Sequence, residues 1–182
     1  MAETTTKILP LIDLANRHPG LTEAVANSYL EATRVCLDRH HSSPAEFRLQ
    51  DESVESIARV DWTLTDDHIR RAWANTDDAT RDGAYAVALA STEMSRNLVA
   101  VSRAETKTGA DYYVAPPGAD NEDMEAWLRL EVSGTDLDEK QIGYRLTQKV
   151  SQAHKGDSNL PAIAAVVGFK SSVIALRSVN KK

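Results

Sequence analysis

The chain has 182 residues, a single cysteine and no long apolar run. Cys36 cannot form a disulfide within the chain, and its place in a helical pattern favours a buried, unreactive thiol. No window supplies the roughly 18 uninterrupted apolar residues of a membrane span. The first residues, MAETTTKILP, lack the basic region and apolar run of a secretory signal. We therefore expect a cytoplasmic protein that has no membrane partner.

Several motifs with known chemistry are also absent. The sequence has no phosphate-binding glycine-rich loop, no Gly-x-Ser-x-Gly, no Cys-x-x-Cys and no His-Glu-x-x-His, which excludes most nucleotide-binding, hydrolase, redox and zinc-protease interpretations. Basic residues are in the minority, with 21 Lys and Arg against 27 Asp and Glu and a net charge of −6. This balance argues against a protein that coats nucleic acid through its overall charge. It is compatible with a basic patch on one part of the surface.

Length and composition fit one globular domain. Hydrophobic residues make up 42% of the chain and charged residues 26%, which is enough to build a core. We expect a single domain over residues 1–182. A mainly helical N-terminal portion would span residues 1–76, and an α/β core would span residues 77–182.

The N-terminal half shows mostly helical periodicity. Apolar residues recur every three to four positions over residues 21–41 and again over residues 77–102, which predicts two helices. The acidic start at residues 65–67 predicts the N-terminus of a shorter helix. Two brief stretches, residues 47–49 and 57–62, are candidate strands.

The C-terminal half shows a different pattern. Strands are predicted at residues 111–114, at the half-buried alternating segment 127–132, at the apolar run 161–168 and at residues 173–179. An apolar stripe over residues 138–154 predicts a helix. The fold class is therefore α/β (α+β), with a helical N-terminal portion followed by a helix-strand-strand-helix-strand core around a central mixed sheet.

Two carboxylates fall on neighbouring predicted strands. Asp111 begins one strand, and Glu131 lies on the polar side of the next. Acids placed in this way can converge on a divalent cation, which prefers oxygen ligands and can activate water. The alternative for Asp111 is a turn carboxylate that accepts backbone N–H bonds, and for Glu131 it is a solvated strand face paired with Arg129.

These residues and this order of elements resemble the PD-(D/E)xK nuclease superfamily, over roughly residues 77–179. Asp111 in Gly-Ala-Asp-Tyr-Tyr matches the metal-binding aspartate of that superfamily, and Glu131 in Leu-Glu-Val-Ser-Gly matches its second acid. The resemblance implies that both acids bind Mg²⁺ and that the protein cleaves DNA. It also implies a context in bacterial DNA processing or phage defence.

The resemblance implies further residues and one departure. Gln141 and Tyr144, in Gln-Ile-Gly-Tyr, resemble the helical glutamine and tyrosine of RecB-like members. Ser133 stands where the superfamily has the lysine that stabilises the attacked phosphate. A lysine from elsewhere would have to compensate, and Lys140 is the first candidate. Lys107 and Lys149 are the other candidates.

Two glutamates and two tryptophans complete the set of candidates. Glu93, beside the apolar stripe of the long helix, and Glu105, closer to the strand, are supporting acids or ordinary surface charges. The alternative function is a non-catalytic interaction protein that docks onto a larger partner through exposed residues such as Trp62 and Trp73. Whether a lysine reaches the two acids separates the two functions.

Overall fold

The computed structural model describes residues 6–119 and 123–180. Within these ranges the elements follow in this order: β1 (Thr6–Ile8), α1 (Leu14–Arg17), α2 (Glu23–His40), β2 (Ala45–Asp51), β3 (Val54–Val60), α3 (Asp67–Ala72), α4 (Thr76–Arg96), β4 (Val99–Arg103), β5 (Tyr112–Ala115), a 3-10 turn (Met124–Ala126), β6 (Leu128–Thr135), α5 (Lys140–Lys155), β7 (Ala162–Gly168) and β8 (Val173–Val179).

The strands of the described ranges form one mixed sheet of eight, in the order β1-β3-β2-β8-β7-β6-β5-β4. Strands β4, β5 and β6 are neighbours in antiparallel pairs, whereas β6 and β7 run parallel. A parallel pair needs a crossover connection, and α5 is that crossover. The predicted α/β class with a central mixed sheet is confirmed.

Helices cover both faces of the sheet. Helices α2 and α4 pack on the face that carries Leu130 and Val132 of β6. Helix α5 packs on the opposite face through Ile142 and Leu146. Because side chains alternate along a strand, Glu131 points to the α5 side of the sheet. This layering decides which elements surround the predicted acids.

The long helix ends earlier than its periodicity predicts. The pattern predicts a helix over residues 77–102, but α4 stops at Arg96 and Val99–Arg103 forms β4. Asn97 closes the helix in the left-handed region, with φ of 52°, a conformation that asparagine tolerates well. Leu98 and Val101 continue the helical spacing, but Leu98 precedes β4 and Val101 lies within this edge strand. None of the described helices, α4 included, is both long and apolar enough to cross a bilayer.

Strand β6 is buried on both faces, so the prediction of a half-buried strand over residues 127–132 is wrong. Arg129 and Glu131 on its polar face are covered by α5 and are buried. Their charged groups have partners there, since Arg129 donates to three backbone carbonyls and Glu131 accepts from Lys149. Buried polar groups are stable when they are paired in this way.

The N-terminal portion contains the predicted helices and also extends the sheet. Strand β2 pairs in parallel with β8, and β3 and β1 follow it outward. Residues before α4 therefore share one sheet with the C-terminal core.

The two tryptophans of the N-terminal portion serve the packing of this region. Trp62 and Trp73 are half-buried against the core rather than exposed as expected. The indole N–H of Trp62 donates to Asp38 at 2.7 Å, and that of Trp73 donates to Glu31 at 2.8 Å. Both rings thus have partners within the chain.

Candidate active site

Asp111 and Glu131 lie opposite each other where β5 begins beside β6. The register pairs Tyr112 with Leu130, so the preceding residue, Asp111, faces Glu131. The backbone N–H of Asp111 donates to the Leu130 carbonyl at 2.8 Å, and its Oδ2 atom accepts the N–H of Val132 at 2.8 Å. Asp111 therefore does have the backbone role that the sequence left open. This backbone bond engages only the Oδ2 atom of the carboxylate.

Two side chains surround the other oxygen of Asp111. Tyr85 on α4 donates its hydroxyl to Oδ1 at 2.8 Å, and Nη2 of Arg103 on β4 lies 3.7 Å from the same atom. Arg103 also donates to the Tyr85 hydroxyl at 3.1 Å and packs over the Tyr85 ring. Burial and the charge of Asp111 raise the pKa of Tyr85 to about 12, so this tyrosine remains a proton donor. The carboxylate of Asp111 is held in one orientation.

Lys149 of α5 reaches the second acid. Its Nζ atom lies 2.7 Å from Oε1 of Glu131, and the two side chains are only 20% and 10% exposed. Burial first, and then the negative charge of the neighbouring Asp111, raise the pKa of Glu131. The positive charge of Lys149 acts in the opposite direction. Two acids and one lysine from separate elements thus meet at one place.

The site lies beside a cleft of about 730 Å³ between α4, β6 and α5. Asp111 and Lys149 are among the residues that line it, and Glu131, which is not, contacts Lys149. The further polar residues of its lining include Arg81, Tyr85, Ser133 and Arg145. Its volume is in the range of ordinary ligand sites.

Ser133, two residues after Glu131, faces the cleft on the same side of β6. Nη1 of Arg145 donates to the Ser133 hydroxyl at 3.3 Å. Arg145 precedes Lys149 by four residues, which is one helical turn, so both side chains leave the same side of α5. Helix α5 therefore brings two cations to the place where the resemblance to nucleases implies a single lysine.

The other predicted residues of α5 lie away from the acids. Lys140 is exposed at the start of α5, about 13 Å along the axis from Lys149 and on the opposite side of the helix. Tyr144 is 61% exposed and accepts a hydrogen bond from Gln148. Neither Tyr144 nor the half-buried Gln141 is among the described residues that line the cleft. The lysine that the structure places at the acids is therefore Lys149.

The two supporting glutamates have partners elsewhere. Glu93, near the end of α4, accepts from Arg17 at 2.7 Å. Glu105 accepts the hydroxyl of Tyr113 at 2.8 Å. Within residues 6–119 and 123–180, no group of three or more His, Cys, Asp or Glu side chains is arranged to hold a metal ion. The acidic side chains that meet at the site are the two carboxylates of Asp111 and Glu131.

The geometry of these residues is the direct evidence on function. No family model, curated protein or solved structure matches this chain. Asp111, Glu131, Lys149 and the cleft beside them are accordingly the features of the chain that bear on its function.

Tyr85, Arg103 and Arg145 belong to the site and are missed by the sequence interpretation. Tyr85 lies among small apolar residues of α4, and nothing in its local pattern predicts a contact with Asp111. Arg145 carries a usable signal, because its spacing from Lys149 places both cations on one face of a helix. That signal becomes specific only once the position of α5 is known.

Proposed function

We propose that this chain cleaves the phosphodiester backbone of DNA in a metal-dependent reaction. Asp111 and Glu131 are the proposed metal ligands, and Lys149 is the cation beside them. The observation that carries the proposal is the 2.7 Å contact between Nζ of Lys149 and Oε1 of Glu131, next to a second carboxylate. Lys149 supplies from α5 the positive charge that Ser133 does not provide. DNA as the substrate, and a role in DNA processing or phage defence, are supported by the resemblance to the nuclease superfamily.

The two carboxylates fit Mg²⁺. In proteins this ion binds through one or two carboxylates, and water and substrate phosphate oxygens complete its shell. Burial raises the pKa of Glu131, and the like charge of Asp111 raises it further; a cation between the two acids would offset the repulsion between them. A bound Mg²⁺ would lower the pKa of a water molecule and neutralise charge on the phosphate.

Asp111, Glu131 and Lys149 have separate roles in the proposed cleavage, and each role follows from the contacts of the side chain. The Tyr85 hydroxyl and the Val132 N–H orient the two oxygens of Asp111, which directs the remaining lone pairs. The ion pair with Lys149 opposes protonation of Glu131 in its buried position. The charge of Lys149 then lies where negative charge develops on the attacked phosphate.

The proposed reaction is hydrolysis. The oxygen of a water molecule forms a bond to phosphorus, and the bond between phosphorus and the leaving sugar oxygen breaks. One proton of the water is lost and one proton is taken up by the leaving oxygen, so the strand ends in a phosphate and a hydroxyl. No oxidant, reductant or second substrate is needed.

Calorimetry and DNA cleavage on the same set of proteins test the proposal. Mg²⁺ and Mn²⁺ binding and cleavage of plasmid DNA are both measured for the intact chain, Asp111→Asn, Glu131→Gln and Lys149→Met. We expect both acid variants to lose metal binding and cleavage. Lys149→Met should keep metal binding and lose about 100-fold in cleavage rate, the usual cost of removing a stabilising donor.

Lys140→Met is the matched control, because it removes the same charge from the other side of the same helix. It should cleave like the intact protein. Loss of cleavage in Lys140→Met, with Lys149→Met fully active, would move the catalytic role to Lys140. A folded intact protein that binds neither metal and leaves DNA uncut would contradict the proposal, and the non-catalytic interaction function would then replace it.

A further inference from the structure

Three cations line the cleft, and Arg145 is the one that forms no ion pair with a carboxylate of the described residues. Lys149 is paired with Glu131, and Arg81 is paired with two aspartates of its own helix. No carboxylate of the described residues lies within 4.0 Å of the Arg145 guanidinium. Among the described residues that line the cleft, Arg145 is therefore the arginine without a carboxylate partner.

The donors of Arg145 are arranged for a ligand. Nη1 donates to Ser133, whereas the Nε–H is buried and has no hydrogen-bond partner in the described residues. In a guanidinium group, Nε and Nη2 point to the same side, away from Nη1, and form a fork of two parallel donors. The bond to Ser133 thus engages Nη1, which is not part of this pair of donors. A buried donor without an acceptor is costly, and a bound anion would remove that cost.

We propose that Arg145 binds a phosphate group of a nucleic acid strand through Nε and Nη2. The fork matches two oxygens of one phosphate, a geometry that a lysine cannot reproduce. Arg145 lies one helical turn from Lys149, so a strand bound by Arg145 passes beside Asp111 and Glu131. The inference rests on the proposed function, because the bound strand is the one that is cleaved. Arg145 is accordingly a substrate-binding residue, distinct from the metal ligands.

Binding of a fluorescein-labelled DNA oligonucleotide, followed by anisotropy in EDTA, tests this inference without metal and without cleavage. Arg145→Met should bind at least about 10-fold more weakly than the intact protein. The slope of log affinity against log salt should also fall by about one, as expected for the loss of one phosphate contact. Arg145→Lys, which keeps the charge and loses the fork, should have an intermediate affinity.

Lys140→Met is again the matched control and should change the affinity less than about 2-fold, because its charge lies on the opposite side of α5. Circular dichroism and thermal unfolding establish that each variant is folded. Inorganic phosphate is the second probe, added at constant ionic strength. If it binds at Arg145 while the oligonucleotide does not, a nucleic acid strand is not the ligand and the inference is wrong.

The outcomes separate this inference from the proposed function. Arg145-dependent DNA binding together with no cleavage in Mg²⁺ would leave the phosphate contact standing and contradict the nuclease proposal. Cleavage by the intact protein together with unchanged DNA affinity in a folded Arg145→Met would contradict the phosphate contact alone. An intact protein that does not bind the oligonucleotide would overturn the inference.

Discussion

Nζ of Lys149 lies 2.7 Å from Oε1 of Glu131, an acid 18 residues earlier in the chain and on a different element. The contact forms because α5 crosses the sheet face to which Glu131 points. It places a cation next to Asp111 and Glu131 although the residue two positions after Glu131 is Ser133. Lys149 on α5 thus supplies a positive charge that Ser133 on β6 does not.

Tyr85→Phe should reduce DNA cleavage by about 10-fold while leaving DNA affinity unchanged, because it removes the hydroxyl that orients Oδ1 of Asp111. The stability cost should be about 1 kcal/mol, the net value of one hydrogen bond. Cleavage rates and urea unfolding measure the two effects. Tyr29→Phe is the control, since its hydroxyl bonds Tyr112 and not Asp111. Equal losses of cleavage in both variants would mean that Tyr85 has only a structural role.

Glu131→Gln should change how stability depends on pH. Burial and the charge of Asp111 raise the pKa of Glu131 above its ordinary value of 4.5, so the folded protein holds this proton more tightly than the unfolded chain. Stability from this group is therefore full below about pH 4.5 and is lost as pH rises through the folded-state pKa. Relative to Glu131→Gln, the intact protein should lose free energy of unfolding over that range. Denaturation curves of both proteins at several pH values would show no such trend if Glu131 were unperturbed.

Arg129→Met should lower the free energy of unfolding by about 3 kcal/mol, because it leaves buried carbonyl groups without a donor. The Arg129 guanidinium is buried under α5 and donates to the carbonyls of Thr108, Ala153 and Leu160 at 2.8 to 3.0 Å. These bonds join the end of α5 to two loops. Urea denaturation measures the loss, and Arg177→Met on an exposed position of β8 is the control, expected within about 0.5 kcal/mol of the intact protein. Similar costs for both variants would contradict the joining role of Arg129.

Gly134→Ala should destabilise the protein by about 1 to 3 kcal/mol, because its new methyl group would overpack the contact between β6 and α4. A Cβ atom at this position would lie 2.4 Å from the Thr80 carbonyl oxygen and 2.9 Å from Cβ of Ala84. Gly143→Ala is the opposite case, since apart from the adjoining backbone of α5 no atom lies within 4 Å of the added Cβ on the exposed side of the helix. It should stabilise the helix by about 0.5 to 1 kcal/mol. Thermal unfolding distinguishes the two, and a neutral Gly134→Ala would contradict the close packing.

Much of the fold could be predicted from local periodicity. The helices α2 and α5 and the strands β5 to β8 lie within a few residues of their predicted positions, because each has a helical stripe, an alternation or a run of apolar or strand-forming residues. Strand β4 could not be predicted in this way. Its apolar residues continue the spacing of α4, and only the left-handed turn at Asn97 separates the two elements.

The sequence by itself determined that Asp111 lies at the start of one strand segment and Glu131 on the next strand along the chain, with Ser133 two residues later on the same face, since chain order and side-chain alternation are local properties. Only the tertiary structure decided which lysine meets the acids and that Tyr85 and Arg145 line the same cleft. It also decided that the polar face of β6 is buried. These features depend on where α4 and α5 cross the sheet. That packing brings together side chains far apart in sequence, and no local pattern along the chain contains their distances.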